Sequence, residues 1–201
     1  MPKKAGRPAK GDDNNSKEKI IDAAVTIIKR DGAETVTVRN ICTEADLSIG
    51  TFYHYFRDKD DLMMFFLREP SFDSFKLKTP LSNIPKRICE LYMLLIRKYM
   101  DLGLDFMKSF YSTGNRSLSA YMSEINGSFE EGTVMARSEA ELTKALDKGY
   151  LKTAVDIHAV SMDICTIVKG CVFEWCLNDG NMDIEKTLSR IIRNYFCGIQ
   201  N

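Results

Sequence analysis

TVRNICTEADLSIGTFYHYF, residues 37–56, decides the fold of this chain. Val38, Ile41 and Cys42 fall at i, i+3 and i+4, the apolar face of a short helix. Thr37 stands where an N-cap oxygen can accept a backbone N–H. Residues 44–47 close that helix, and Asp46 falls where the turn needs a left-handed residue, a conformation aspartate tolerates better than most types. Ser48 then caps a second helix over 49–56. The spacing of Ile49, Phe52 and Phe56 turns them inward and leaves Ser48, Gly50, Thr51, Tyr53, His54 and Tyr55 outside. These groups are small or hydrogen-bonding, unlike the Glu/Lys mixture of a solvated face. A helix with such a face can enter a DNA major groove. The spacing by itself also fits an ordinary pair of core helices.

The flanks narrow the choice. Ile20, Ile21, Asp22, Ala23 and Ala24 precede the stretch, and Arg57, Asp58, Lys59, Asp60, Asp61 and Leu62 follow it. Together they resemble the DNA-binding domain of TetR-family (tetracycline-repressor-like) regulators. The family pattern is I-x-x-A-A, then T-V/I-x-x-I, then A-G-V-S-x-G-x-x-Y-x-x-F, then K-x-x-L. Ala45, Leu47, Ser48, Gly50, Tyr53, Phe56, Lys59 and Leu62 match it in order. Asp46 departs from it, since glycine is usual there, and Tyr53-His54-Tyr55-Phe56 stands where Tyr-Tyr-His-Phe is common. The likeness covers roughly residues 16–65; the remainder matches in length and helical character.

Composition sets the outer bounds. The 201 residues allow one or two domains with a substantial core. Sustained strand alternation is lacking, so the expected class is all-α. With 28 basic and 28 acidic residues the net charge is zero, and nucleic-acid affinity must come from a local patch. No apolar run has the length of a membrane span and no signal-peptide core opens the chain, which predicts a cytoplasmic protein with no membrane partner. None of the six cysteines forms a C-x-x-C pair. They are expected as reduced core residues, with no metal site and no cofactor. Redox sensing by Cys165, Cys171 and Cys176 is the sharper alternative.

Residues 1–15 read as a flexible basic arm. Lys3, Lys4, Arg7 and Lys10 give the first ten residues a charge of +4, leaving −4 on the rest. Gly6-Arg7-Pro8 is slim enough for a narrow minor groove, which attracts inserted arginine; a solvated tail is the plainer reading. Residues 16–30, capped by Ser16, form the first helix, with Ile20, Ala24, Ile27 and Ile28 inward and Gly32 closing it. Asp58 caps a fourth helix with Asp61 in capping-box position. Leu62, Met63, Phe65, Phe66 and Leu67 make that helix apolar, and Pro70 predicts a kink or break before residues 71–78.

Further helices are expected from 84 or 85 to 102, over 104–111, around 118–125, over 129–148, over 155–177 and from 184 on, about nine in all. The apolar stripes of the last two are wide. That predicts antiparallel helices pairing with two-fold mates as a four-helix bundle, through Ile164, Val168, Val172, Leu188, Ile191 and Tyr195. Packing within one subunit is the plainer alternative.

The expected organisation is therefore an arm over 1–15, a three-helix helix-turn-helix domain over 16–62, and a helical ligand-binding and dimerisation domain over 63–201. By resemblance, Ser48, Gly50 and Thr51 face the major groove of a double-stranded operator. Tyr53, His54, Tyr55 and Lys59 lie along phosphates, with Thr37 and Arg39 at the backbone beside them. The expected function is a homodimeric repressor on a palindromic operator, released by a small apolar ligand. Phe66, Tyr92, Tyr99, Phe106, Phe110, Met135, Met162 and Trp175 are candidates to line the ligand cavity. A regulator or architectural protein of the same fold without ligand control would carry the same arm and helix pair.

An enzyme is the competing class. His158 with Glu124, Glu130, Glu131, Asp156 and Asp163 could supply acid–base or metal chemistry. Asp156 and His158 point to different helix faces, however, and the paired Glu-x-x-His motifs of a di-metal bundle do not occur.

Overall fold

The computed structural model describes residues 12–32, 35–68, 71–111, 115–122 and 127–200. Among these residues are ten α-helices, in keeping with the all-α class and the roughly nine helices expected. The chain divides after Met64 into two compact units.

The first unit begins with α1 (Asp12–Asp31). It starts four residues before the expected cap, so Ser16 lies inside the helix and the expected arm contributes its last residues to it. Ile20, Ala23, Ala24 and Ile27 are buried along one face. Gly32, at φ 90°, ends the helix with its N–H on the Ile28 carbonyl. α2 (Val38–Ala45) is capped by Thr37, whose side chain accepts from the Asn40 N–H at 3.1 Å. Asp46 holds the turn in the left-handed region, φ 52° and ψ 49°. The Asp46 and Leu47 N–H groups close on Thr43 and Cys42 carbonyls, so the aspartate does the work a glycine does elsewhere. α3 (Ile49–Tyr55) follows, with Phe52 and Phe56 buried against α1 and α2. Arg30 ties α1 to α2 through a 3.0 Å contact with Glu44. α4 (Lys59–Arg68) starts as expected: the Asp61 N–H meets Asp58 Oδ1 at 2.8 Å, and Asp61 reaches back to the Arg57 N–H at 3.1 Å. Pro70 lies outside the described residues.

The second unit is built on α5 (Ile84–Asp101), which has Asn83 as cap, Pro85 in its first turn and nine buried residues. It packs on α8 (Val134–Asp147) and α10 (Ile184–Phe196), which themselves pack with α9 (Ile157–Leu177) in the order α8, α9, α10. α6 (Leu104–Phe110) lies on α5 and α9, and α7 (Arg116–Tyr121) is short. α8 starts at Val134 rather than at residue 129. The cause is local: Gly132 turns at φ 77° and Thr133 caps. The Gly132 carbonyl accepts from the Phe72 N–H, and a side chain at 132 would run into Ser71 Oγ at 2.9 Å. α9 starts at Ile157 because Asp156 caps it, accepting from the Ala159 N–H. His158 meets Glu139 at 3.0 Å.

One charged group is sealed into this unit. Glu141 is 1% exposed and is held by Arg87 at 2.7 Å, Arg137 at 3.0 Å and Lys144 at 3.1 Å. Arg87 also donates to the Thr79 carbonyl. Burial pushes the Glu141 carboxyl up. Hydrogen bonds from Arg87 and Lys144 outweigh it and hold the group below the usual carboxylate range. Five cysteines are buried and unbridged, as small core residues should be, whereas Cys197 is exposed.

Candidate functional site

The polar face of α3 is organised by its own cap. Ser48 Oγ accepts from the Thr51 N–H at 3.0 Å and lies 2.9 Å from Thr51 Oγ1. The two hydroxyls are thus fixed together at the helix start, with capacity left over for an outside partner. Gly50 lies between them, exposed. A Cβ there would meet nothing closer than Ser48 Oγ at 3.6 Å, an ordinary contact. The fold itself therefore does not require glycine at 50; a close approach from outside would. Arg39, Thr43, Asp46, Ser48 and Ile49 share one concave surface of about 460 Å3 between α2 and α3.

Ile49 corrects the sequence reading. It was expected inward and is 48% exposed. The i, i+3, i+7 spacing with Phe52 and Phe56 is real, but the first residue of a seven-residue helix projects past the edge of the core. Tyr53 is exposed with its ring edge-on to Phe52 at 5.6 Å, and exposed His54 lies edge-on to Tyr55 at 4.8 Å. Tyr55 and Lys59 are half-buried, and Arg39 and Thr37 are exposed. Arg7 lies outside the described residues.

Charge is the weak point of this surface. Residues 12–64 carry seven basic and eleven acidic side chains, a net −4, and the four basic residues of 1–10 balance them. One cation, Arg30, is already engaged by Asp31 and Glu44.

Residues 20–64 match the model of the bacterial regulatory proteins of the tetR family. Over that stretch the chain is similar to TetR-family regulators. A fatty acid metabolism regulator protein of Bacillus subtilis is 22% identical over 196 residues, 90% of this chain and 94% of that protein. The nicotine-responsive transcriptional repressor HdnoR of Paenarthrobacter nicotinovorans is 40% identical over 47 residues, 23% of this chain and 24% of its own length. Among solved structures, one described as a TetR-family transcriptional regulator of Syntrophomonas wolfei superposes with a TM-score of 0.63 at 16% identity, over 92% of this chain and 96% of that one. The fatty acid degradation regulator FadR of Bacillus halodurans gives 0.55 at 18%, covering 95% of each. These structural likenesses speak for the fold. DNA-binding transcriptional regulation is the function of the chain, and the helix pair just described lies within the matched residues 20–64.

In the second unit the expected ligand residues separate into groups. Tyr92 and Tyr99, each 1% exposed, share the interior with Tyr121, Ser138 and Cys165. Tyr111 joins them at 6.2 Å from the Tyr99 ring. Burial, first, and the neighbouring phenols and thiol, second, push the Tyr99 hydroxyl well above its ordinary range, so it stays protonated. The Tyr92 hydroxyl rises through burial, Cys165 and Tyr121, with Ser138 opposing. Ser138 Oγ lies beside Tyr92, yet among the described residues neither oxygen, nor that of Tyr99, has a partner in hydrogen-bonding geometry. A small rotation would pair Ser138 with Tyr92 and still leave Tyr99. Each buried hydroxyl left this way costs about 1–3 kcal/mol, a large share of a domain's stability. Phe106 and Phe110 stack at 5.0 Å, buried, and Met135 is buried on α8. Trp175 is buried at the far end of α9, beside Gly180 and Leu104. Met162 is half-buried, and the side chain of Phe66 lies outside the described residues.

The bundle face also shifts. Ile164, Val168, Val172 and Leu188 are already buried within one chain, so the residues expected to meet a second copy are in fact its own core. The uncovered face of α9 and α10 runs through Ile167, Gly170, Phe173 and Ile191, joined by Met182 from the turn between them, with Phe173 50% and Leu177 61% exposed. Ile191 and Tyr195 remain half-buried, and the Tyr195 hydroxyl donates to Asp163 at 2.6 Å. Sequence periodicity could not separate these faces, because α9 is apolar nearly all round.

Proposed function

We propose that the chain acts in the cytoplasm as a homodimeric repressor on a palindromic operator and leaves it when a small apolar ligand enters the body. Residues 16–62 read the DNA, residues 1–15 track its minor groove or phosphates through Arg7, and residues 63–201 hold the ligand and the partner. The observation that carries the reading is Ser48 bound to Thr51 beside an unconstrained Gly50, a polar surface without bulk at a helix start. Arg39, Tyr53, His54, Tyr55 and Lys59 then serve phosphates, and Thr37 holds the backbone there. Ile49 suits the methyl group of a thymine. The uncovered α9–α10 face supports the dimer, since an exposed apolar patch of this kind marks an interaction surface. Among the described residues no helix is long and apolar enough to cross a membrane. Ligand control is supported by the unsatisfied polar interior and by relatives named for fatty acid metabolism and for response to nicotine.

The test is selection of an operator from random duplex DNA. The expected product is a palindrome with half-sites about one helical turn apart. Its retardation should disappear with Thr51→Ala plus Tyr53→Ala while the fold persists, and should weaken when uracil replaces the thymine that Ile49 meets. Unchanged binding by the double variant sinks the recognition-helix assignment.

A further inference from the structure

A groove of about 590 Å3 runs along one face of α5, between α10 and the non-helical segment 75–79. Lys86, Cys89, Met93 and Arg97 follow one another on that face at three and four residues, a length of about 16 Å. The floor is apolar. Cys89 and Met93 are buried there, with half-buried Phe75 and Leu94 beside them. Burial pushes the Cys89 thiol up to about 11, so it stays neutral. The wall opposite α10 is fixed in place. Glu90 accepts from the Lys78 and Thr79 N–H groups at 2.7 and 2.8 Å, and Arg87 donates to the Thr79 carbonyl. Lys98 Nζ lies 4.9 Å over the ring of Phe72, just before that segment. The groove is thus built by the fold, which spares a ligand the cost of ordering it.

We infer that this groove binds a small amphiphile with an anionic head, a carboxylate or phosphate, and an apolar tail that lies on Met93 and Leu94. The inference goes beyond the reading above, which puts an apolar ligand in the interior.

The sign of the head follows from which charges are committed. Residues 65–201 carry 17 basic and 17 acidic side chains, so the unit is neutral and the charge of each surface is local. The groove has four cations, Lys76, Lys78, Lys86 and Arg97, against two carboxylates. Both carboxylates are engaged. Burial pushes the Glu90 carboxyl up, but the hydrogen bonds from Lys78 and Thr79 outweigh it and hold the group below the usual range. Glu185 pairs with Arg97 at 3.4 Å. Lys76, Lys78 and Lys86 are exposed and stand in no ion pair among the described residues. Three ammonium groups around one apolar floor make a positive field that nothing in the groove cancels. Their apolar stems can cover a tail while their heads meet an anion. A cationic amphiphile is repelled by the same three groups, and a neutral one gains only the floor. A bare phosphate gains only exposed ion pairs, which are weak one by one. The acidic depression of the same unit, lined by Asp73, Glu130 and Glu131, is the opposite case and offers an anion nothing.

Four probes isolate the parts: octyl phosphate, 1-octanol, octyltrimethylammonium and inorganic phosphate. Each is titrated into the full chain and followed by the methyl resonance of Met93, identified by its loss in Met93→Leu. Octyl phosphate is expected to shift that resonance and to bind at least about tenfold tighter than the other three. Lys76→Gln with Lys78→Gln should weaken it about fivefold to tenfold at an unchanged melting temperature, since both side chains are exposed. Lys148→Gln, an exposed lysine after α8, should leave it as it was. Octanol or the ammonium binding as tightly overturns the inference, because the charge would then play no part. Inorganic phosphate matching octyl phosphate also overturns it, because the tail would then have no seat. So does full affinity in the double lysine variant, or failure of octyl phosphate to bind. Binding of octyl phosphate that leaves the Met93 resonance in place removes the groove as the site and leaves the interior ligand of the reading above untouched.

Discussion

The two units of this regulator solve opposite problems with polar groups. In the reading head, hydroxyls and charges lie at the surface and are already satisfied locally: Ser48 on Thr51, Thr37 on Asn40, Arg30 on Glu44. In the body they are sealed inside, where Glu141 has three cations and Tyr99 has no partner among the described residues. A polar group at the surface costs the fold little, so it is free to be chosen for DNA. A buried one must be matched within the protein or by something it binds. The largest consequence lies at Glu141. Glu141→Ala leaves Arg87 and Arg137 buried without their carboxylate and should destabilise the body by about 3 kcal/mol, read by denaturant unfolding, with the α3 surface intact. The sign with pH follows from a lowered carboxyl. Its contribution is present above the ordinary carboxylate range and is lost as pH falls through the lowered value, so the variant should show a flatter acid limb. If Glu141→Ala unfolds at the same denaturant concentration as the parent, the contrast between the units fails at its strongest point.

The head breaks the contrast in another way: its charge does not suit its partner. Residues 12–64 sum to −4, and Lys3, Lys4, Arg7 and Lys10 restore neutrality. Removing residues 2–10 should therefore cost affinity out of proportion to nine residues. Four cations neutralising phosphates contribute about 3.6 units of salt slope, so the truncated protein should lose affinity by about tenfold or more at moderate salt and titrate with a flatter log–log line. A truncation that binds with unchanged slope would mean that Arg39, Lys59 and their neighbours supply the charge and that the arm is only a solvated tail.

The same contrast explains how much could be read from the sequence. Short-range chemistry was legible. Thr37, Ser48 and Asp58 cap because an oxygen accepts an N–H three residues on, and Asp46 takes the left-handed turn. These are local, and local spacing encodes them. Faces were less legible. Ile49 sits on the apolar spacing of α3 yet lies outside, because one turn of helix cannot show where the core ends. On α9 the mean character is apolar on every side, so Val168 and Phe173 read alike although one is core and the other exposed. Gly132 turns the chain into α8 while its carbonyl accepts from the Phe72 N–H, sixty positions away, a pairing that no window of sequence contains. The buried partners of Glu141 are of the same long-range kind.

The smallest effect tests the idea that the head's surface is chosen for DNA and the body's interior for the fold and its ligand. Gly50 is exposed, in an ordinary helical position, and a methyl there meets only Ser48 Oγ at 3.6 Å. If the fold alone set this residue, alanine would be preferred, since glycine in a helix costs roughly 0.5–1 kcal/mol relative to alanine. Gly50→Ala should therefore raise the stability of the head by up to about 1 kcal/mol, seen as a higher melting temperature. It should at the same time weaken operator retardation, because the added methyl stands between the helix start and the groove. Opposite signs in the two measurements would assign the glycine to close approach. A variant that gains stability and keeps full affinity would show that nothing approaches position 50, and contact would then pass to Ser48, Ile49 and Thr51. A variant that loses stability would place the requirement back in the fold, against the open space seen around that Cβ.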